Sequence, residues 1–236
     1  MKKVAILLAS FLTLAFASCK KINGDGPVVN ETRAITGFRS IHSGISGDVY
    51  FTQDSVYGVE IRAQQNILDI IDTRVSNGEL KIDFSHNHNV GRHDRIAIYV
   101  AAPDIDALTL SGSGTMTASR GIRTGNLSLR ISGSGTMQLQ DVTAGNVSCR
   151  ISGSGDISIG AGKAQNEAVE ISGSGSVDAL NMEAADVTTQ TTGSGTTRIF
   201  ATDKLNVRIS GSGNVIYKGH PQVTTSISGS GKLQPW

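Results

Sequence analysis

The chain has 236 residues, and its 21 Lys and Arg side chains almost balance 20 Asp and Glu side chains, for a formal net charge of +1. A chain this close to neutrality lacks the positive field with which proteins collect nucleic acid, so we predict no nucleic-acid partner. Hydrophobic residues make up 38% of the chain, too many for a disordered protein, and four prolines without a strict glycine period exclude collagen.

The N-terminus has the pattern of an export signal. Two lysines precede a largely apolar run over residues 4–17, which is too short to cross a bilayer and typical of a secretory signal. Small residues stand directly before Cys19, as in a bacterial lipoprotein signal, although Phe16 occupies a position where Leu is usual. We predict a signal peptide over residues 1–18 and a lipid on Cys19, which anchors the exported protein in the cell envelope, at the periplasmic or surface face of the outer membrane. The alternative is an ordinary signal peptide with a chance cysteine.

Two segments lie between this signal and the regular part of the chain. Residues 19–34 are polar, contain Gly and Pro and lack periodicity, which predicts a tether between the membrane and the folded body. Residues 35–107 alternate less regularly and predict an irregular β head. We expect a degenerate coil at residues 43–51, one short helical turn within residues 65–72 and a turn at Asn77-Gly78.

A Gly-Ser-Gly block recurs seven times in the second half of the chain. The blocks begin at residues 111, 132, 152, 172, 192, 210 and 228, with spacings of 21, 20, 20, 20, 18 and 18 residues. A fixed period near 20 residues is typical of a solenoid. Within a copy every second residue is apolar or Gly, as in Leu127, Leu129 and Ile131, which predicts strands with one buried face.

Equivalent strands recur only once per repeat. Equivalent residues of successive repeats can therefore stack on one another only if the strands run parallel. A hairpin sheet would need a turn every 8–12 residues, and helices would need a 3.6-residue period; neither pattern occurs. The sequence therefore predicts an all-β protein with a parallel β-helix over residues 108–236, continuous with the head as one domain over 35–236. We expect the head to cap one end of the stack, and Leu233, Pro235 and Trp236 the other.

The glycines of the repeated blocks are predicted to be structural. Both glycines of each block fall on the inward phase, where the wall bends and a side chain would collide with the core. The predicted corner glycines are Gly112, Gly114, Gly133, Gly135, Gly153, Gly155, Gly173, Gly175, Gly193, Gly195, Gly211, Gly213, Gly229 and Gly231. The serines between them would stack from coil to coil, and a serine-lined binding strip is the alternative interpretation of the same column.

The outward columns carry scattered charge. Arg150 and Glu170 occupy equivalent positions in adjacent coils, and we expect them to form an exposed ion pair. The column contains both signs and predicts no strip of like charge along the stack. Cys149 falls on the inward phase and is expected to be a small buried hydrophobe, without a disulfide partner if Cys19 is lipidated.

Several stretches of this chain resemble a known family. The opening GPVVNETRAITGFRSIHSGISGDVYFTQ, the strand LKIDF, the junction IYVAAPDIDALTLSGSG and the SGSG ladder are similar to the head-GIN-domain family, whose members are called auto-transporter adhesins. The resemblance extends over residues 36–232. It implies a right-handed parallel β-helix in a secreted or lipid-anchored protein of Gram-negative bacteria, and it carries over no catalytic residues.

Two classes of function remain open. Enzymes built on a β-helix use clustered carboxylates on one outer face, whereas five aspartates of the stack fall at different repeat phases. These are Asp141, Asp156, Asp178, Asp186 and Asp203. We therefore predict no catalytic residues and no cofactor, in a binding scaffold for a glycan or protein partner. The alternative is a carbohydrate-active enzyme, a lyase or hydrolase, on the same fold.

One group of histidines suggests a metal site. His86 and His88 alternate along a predicted strand and would face the same side, and His93 could join them from a loop. The spacing matches no established zinc pattern, and Arg92 and Arg95 flank the group. We predict a polar hairpin tip that holds no functional metal.

Overall fold

The computed structural model describes residues 20–85 and 88–236, which form one long sheet of 19 strands and a separate two-stranded sheet. The head contains nine strands and one short helix. In chain order they are β1 (Lys20–Ile22), β2 (Val28–Thr32), β3 (Ser40–Ser43), β4 (Asp48–Gln53), β5 (Gly58–Gln64), α1 (Gln65–Leu68), β6 (Ile71–Ser76), β7 (Glu79–Phe84), β8 (His88–Val90) and β9 (Ala97–Ala102).

The rest of the chain winds into coils. Its strands are β10 (Ala107–Gly112), β11 (Thr115–Ala118), β12 (Ile122–Gly133), β13 (Thr136–Leu139), β14 (Val142–Gly153), β15 (Asp156–Ile159), β16 (Gly162–Gly173), β17 (Ser176–Gly193), β18 (Thr196–Gly211), β19 (Asn214–Lys218), β20 (Gln222–Gly229) and β21 (Lys232–Pro235). All pairings among these twelve strands are parallel.

The register of the pairs follows the sequence repeat. Ile131 lies beside Ile151 and Ile151 beside Ile171, so equivalent residues of successive copies are neighbours in space. The prediction of a parallel β-helix with coils of about 20 residues is confirmed. The later coils are shorter because the pairing of β17 with β18 shifts register after Ala179, where Glu183 becomes the partner of Phe200.

The core is one continuous cluster of apolar side chains inside the coils. In β12 and β14 the residues on the inward phase are buried while those between them are exposed or half-buried, as the two-residue period predicts. Leu129, Cys149 and Val169 stack directly on one another in the interior. The predicted place of Cys149 in the core is therefore correct.

The head joins the same sheet with mixed strand directions. Strands β3 and β4 pair in parallel with β10 and β11, so residues 43–51 continue the coil pattern as expected. Strands β6 and β7 form an antiparallel hairpin whose turn is Asn77-Gly78, both with positive φ. The expected helical turn is α1.

The segment expected to be a tether is partly folded. Strand β2 pairs antiparallel with β5, and β1 pairs in parallel with β8, so residues 20–22 and 28–32 belong to the body of the protein. The polar composition hid this because no residue of β2 is buried, so the strand pairs with β5 without an apolar inward face.

The two ends of the stack differ. The head covers the first coil, as predicted. At the other end Leu233 packs against the core. Trp236 was expected to cap the last coil as well, but it is 73% exposed and does not. Val223 and Ile227, which stand on the inward phase of β20, remain 40% and 39% exposed.

Candidate functional site

The first glycine of each repeated block has a positive φ at the corner of the coil. Gly133, Gly153 and Gly173 have φ values of 127°, 125° and 131°, a backbone conformation that side chains with a Cβ rarely adopt. A Cβ at Gly153 would lie 2.4 Å from the main-chain oxygen of Gly133 in the preceding coil. A side chain at Gly153 would therefore collide, as predicted, but with the backbone of the neighbouring coil and not with the core.

The second glycine of each block faces the interior. A Cβ at Gly155 would lie 2.6 Å from both the oxygen of Gly135 and the Cγ2 atom of Ile131. Main-chain hydrogen bonds join the corners of neighbouring coils: the amide of Ser154 donates to the carbonyl oxygen of Gly133 at 2.9 Å. These contacts give the blocks a structural role in shaping each corner.

Opposite charges join neighbouring coils on the outer wall. Arg150 and Glu170 pair at 2.8 Å as predicted, with both side chains about half exposed. Lys163 lies 3.7 Å from Glu183 in the next coil. Exposed pairs of this kind contribute about 0–1 kcal/mol each, so they add little to the stability of the fold.

A groove follows the stack along a ladder of asparagine side chains. The amide of Asn146 donates to Asn126 Oδ1 at 2.7 Å, and that of Asn166 donates to Asn146 Oδ1 at 2.8 Å. Asp186 continues this column, and Lys204 lies 4.0 Å from its carboxylate. The groove has a volume of about 380 Å³. Sequence reasoning missed the ladder, although a column of Asn at the repeat spacing was visible in the sequence.

The other side of this Asn groove is a column of small side chains. Ser128, Ser148, Ala168 and Thr188 line it in four successive coils. At one end stands Asp106, whose pKa is lowered, mainly by the side-chain hydrogen bond from Arg39. With strands about 4.8 Å apart, five coils give the groove a length of about 19 Å.

An ionisable side chain lies inside the wall below this groove. Glu167 is 2% exposed and occupies a position held by Leu127, Val147 and Val187 in the neighbouring coils. Neither of its carboxyl oxygens has a hydrogen-bond partner. Burial raises the pKa of Glu167 to about 8, so the group is largely protonated at neutral pH.

The thiol of Cys149 is buried near Glu167 and is unreactive. Burial raises the pKa of Cys149 well above its usual value, and Glu167 raises it further once it is ionised at high pH. The thiolate is the reactive form, so Cys149 is inert as a nucleophile.

The structure brings no acidic cluster together from the five aspartates named in the sequence. Asp156 stands beside Ser176, Asp178 beside Arg198, and Asp186 beside Asn166, each in a different column of the wall. Asp156 and Asp178 share the outward wall of the short strands, two positions apart in register, and Arg198 lies 3.9 Å from the carboxylate of Asp178.

The histidine segment lies at the edge of the head. His88 begins β8, and the ring nitrogen Nδ1 of His93 is 2.5 Å from the main-chain oxygen of Asp94. His86 lies outside the described residues. Among the residues that are described, no group of three or more His, Cys, Asp or Glu is placed to hold a metal ion.

The predicted lipid-attachment residue, Cys19, also lies outside the described residues, as does the signal peptide before it. Within residues 20–85 and 88–236, no helix has the length and apolar character needed to cross a membrane.

The fold is shared with several solved bacterial proteins. A "putative adhesin" from Bacteroides fragilis is 24% identical, with a TM-score of 0.87 over 91% of this chain and 100% of that chain. A "putative lipid binding protein" from Parabacteroides distasonis is 25% identical, with a TM-score of 0.76 over 92% of this chain and 100% of that chain. A "putative adhesin" from Parabacteroides merdae is 22% identical, with a TM-score of 0.75 over 92% of this chain and 99% of that chain.

The family follows from the sequence as a whole. No curated protein matches the chain. The family model described as "Putative auto-transporter adhesin, head GIN domain" matches residues 37–221, which is most of the chain and includes both the head and the stack. The resemblance found in the sequence is thus confirmed, and the chain belongs to the head GIN domain family.

Proposed function

We propose that the protein is a non-enzymatic binding scaffold of the cell envelope, anchored by a lipid on Cys19, which presents the outer wall of its solenoid to a glycan or protein partner. The adhesin name of the family supports a binding role. The observation that carries the proposal is the Asn groove, because it lines up the amides of Asn126, Asn146 and Asn166 in three successive coils.

The asparagine ladder is suited to a long, polar partner. Each amide has two N–H donors and a carbonyl oxygen with two lone pairs, and the ladder uses one donor per rung. The remaining donors and lone pairs recur about every 4.8 Å and can bind hydroxyl or peptide groups of an extended chain. Solenoids use extended surfaces of this kind to bind their partners.

The placement of the acids supports a binding role without catalysis. The carboxylate of Asp156 does not line the Asn groove, because Asp156 lies on the short strand β15. It accepts a hydrogen bond from the hydroxyl of Ser176 at 2.5 Å. Glu167 is buried and largely protonated, and it has no second acid in its own column. Glycoside hydrolases use two carboxyl groups that flank the scissile bond, and Glu167 has no such partner.

The anchor would hold the body close to the membrane. Strand β1 begins at Lys20, the residue after Cys19, and pairs with β8 of the head. A lipid on Cys19 would therefore attach to the folded head directly, and the stack would extend away from it.

The test of the groove is capture of a partner by the wild-type protein and two variants. Asn146→Ala removes the middle rung and should weaken partner binding at least about fivefold. Gln138→Ala changes an exposed polar side chain of β13, on another wall of the same coils, and should leave binding unchanged. Equal binding by the wild type and Asn146→Ala would exclude the groove as the contact surface.

The test of the non-enzymatic role is incubation of the purified protein with envelope and plant polysaccharides. We expect binding without release of reducing or unsaturated ends. Release of either product at a rate that depends on protein concentration would contradict the proposal and support the carbohydrate-active enzyme.

A further inference from the structure

The outer face of the head carries a pair of tyrosines that lie side by side. Tyr50 of β4 and Tyr99 of β9 are partners in register, and their rings stack with centroids 5.1 Å apart and planes 18° apart. Tyr99 is 38% exposed, which is high for an aromatic side chain in the middle of a sheet. An exposed aromatic pair on a rigid sheet is a common element of a binding surface.

Arginines fix the two rings in place. The guanidinium of Arg62 lies 4.6 Å from the centre of the Tyr99 ring, and Arg62 is paired with Glu60 at 2.7 Å. On the other side Arg95 donates to the hydroxyl of Tyr50 at 2.6 Å. Charged groups on both sides therefore hold the tyrosines at their observed separation before any ligand binds.

A pocket of about 260 Å³ opens beside this pair. One row across strands β2, β5, β9 and β4 consists of Thr32, Glu60, Tyr99 and Tyr50. The next row contains only small side chains, and they form the lower surface of the pocket: Thr52, Ala101 and Gly58. The pocket exists because a short side chain lies two residues from a long one on each of β4, β5 and β9.

We propose that this Tyr pocket binds one or two rings of a neutral hexose-containing glycan. A sugar ring has an apolar C–H face and polar hydroxyl groups at its edges. The pocket matches this division, since the tyrosines, Ala101 and Gly58 supply apolar surface, and Thr32 and Thr52 supply hydroxyls. The volume is near the lower end of ligand pockets and suits a short saccharide.

The charges at the pocket favour a neutral sugar over an acidic one. Arg62 and Arg95 contact the two tyrosines and are already paired, with Glu60 and Asp48. Glu60 binds Arg62 through Oε1, so Oε2 is left to accept a hydrogen bond from a sugar hydroxyl. The same oxygen would repel the carboxylate of an acidic sugar.

This inference rests on the proposed function, because it supplies one chemical class of partner for the binding scaffold. Its position is separate from the Asn groove: the Tyr pocket lies on the head and the groove on the coils of the stack. The two can therefore be tested independently.

The test is titration of the full chain, purified in detergent, with cellobiose, mannobiose, diacetylchitobiose and digalacturonic acid. We expect at least one neutral disaccharide to bind more tightly than digalacturonic acid. Gly58→Val fills the pocket, and it should fold, because a Cβ at Gly58 meets only Ala101 Cβ, at 3.7 Å. It should weaken the binding at least about tenfold, and so should Tyr99→Ala.

The matched control is Gly125→Val, since a Cβ at Gly125 meets no atom within 4 Å and the residue lies on the stack beside the Asn groove. Its affinity for the disaccharide should equal that of the wild type. Thermal melts check that each variant is folded. If Gly58→Val does not fold, the affinity of Tyr99→Ala for the disaccharide tests the proposal by itself.

Three results would overturn the inference: no binding of any neutral disaccharide, tighter binding of digalacturonic acid, or undiminished binding by folded Gly58→Val and Tyr99→Ala. None of them affects the proposed function, which depends on partner capture by the Asn groove. If Gly125→Val alone loses the disaccharide, the sugar binds at the groove and the Tyr pocket is excluded.

Discussion

The buried acid Glu167 should make the stability of the protein depend on pH. Its pKa is about 8 in the folded protein against 4.5 for an ordinary glutamate. The folded state therefore holds a proton that the unfolded chain loses above pH 4.5. The free energy of unfolding falls by about 1.4 kcal/mol per pH unit as the pH rises from 4.5 to 8, and then levels off. Over the whole interval this loss is about 5 kcal/mol.

Two substitutions separate ionisation from burial. Glu167→Gln keeps a polar side chain in the wall but cannot ionise, so the fall in stability between pH 5 and pH 8 should disappear. Glu167→Val also removes the unpartnered polar group and reproduces Val147 and Val187, the neighbours in the column. We expect it to raise the free energy of unfolding at pH 7 by about 3 kcal/mol or more.

The assay is urea unfolding of the wild type and these variants at pH 5, 7 and 9. Glu170→Gln is the matched control, because Glu170 lies on the same strand but is exposed and paired with Arg150, and it should change stability by less than about 1 kcal/mol. The reasoning is refuted if Glu167→Val is less stable than the wild type at pH 7, or if its stability still falls between pH 5 and 8 as the wild type does.

Three other predictions follow from the corner geometry, the N-terminus and the histidines. Gly153→Val should lower stability by about 3 kcal/mol or more, because its positive φ and the oxygen of Gly133 both oppose a side chain, whereas Ser154→Ala should cost about 1 kcal/mol at most; equal shifts in thermal melts would contradict this. Cys19→Ala should release the protein from the membrane fraction, and a wild type that carries no lipid on mass spectrometry would disprove the anchor. Protein purified without chelator should contain no stoichiometric zinc by elemental analysis; zinc that is lost in a His86→Ala, His88→Ala double variant would show a metal site.

The sequence alone predicted the features that repeat. A strand exposes alternate residues to opposite faces, so the two-residue period identified buried positions such as Leu129 and Ile131 without any knowledge of their neighbours. The period of about 20 residues then predicted which residues lie side by side, and the pair of Arg150 with Glu170 was predicted correctly. In a solenoid each coil contacts mainly the next, so distances in space follow distances along the chain.

The features that break the repeat were harder to predict. Glu167 stands on the inward phase, so its burial could have been predicted from its position. Charged side chains are, however, almost always exposed to solvent, and the residue type therefore pointed the other way. Strand β2 looked like part of a tether because its apolar residues are few, and its partner β5 lies about 30 residues further along the chain.

Only the tertiary structure decided the direction of the corner glycines and the composition of the Tyr pocket. Gly153 and Gly155 share one phase in the sequence, yet the positive φ of Gly153 turns its missing side chain towards the preceding coil while that of Gly155 faces the core. Thr32, Glu60 and Tyr99 meet in one row because antiparallel strands of the head pair without any repeat in the sequence. Such contacts depend on the register of strands distant in the chain, and local periodicity carries no information about that register.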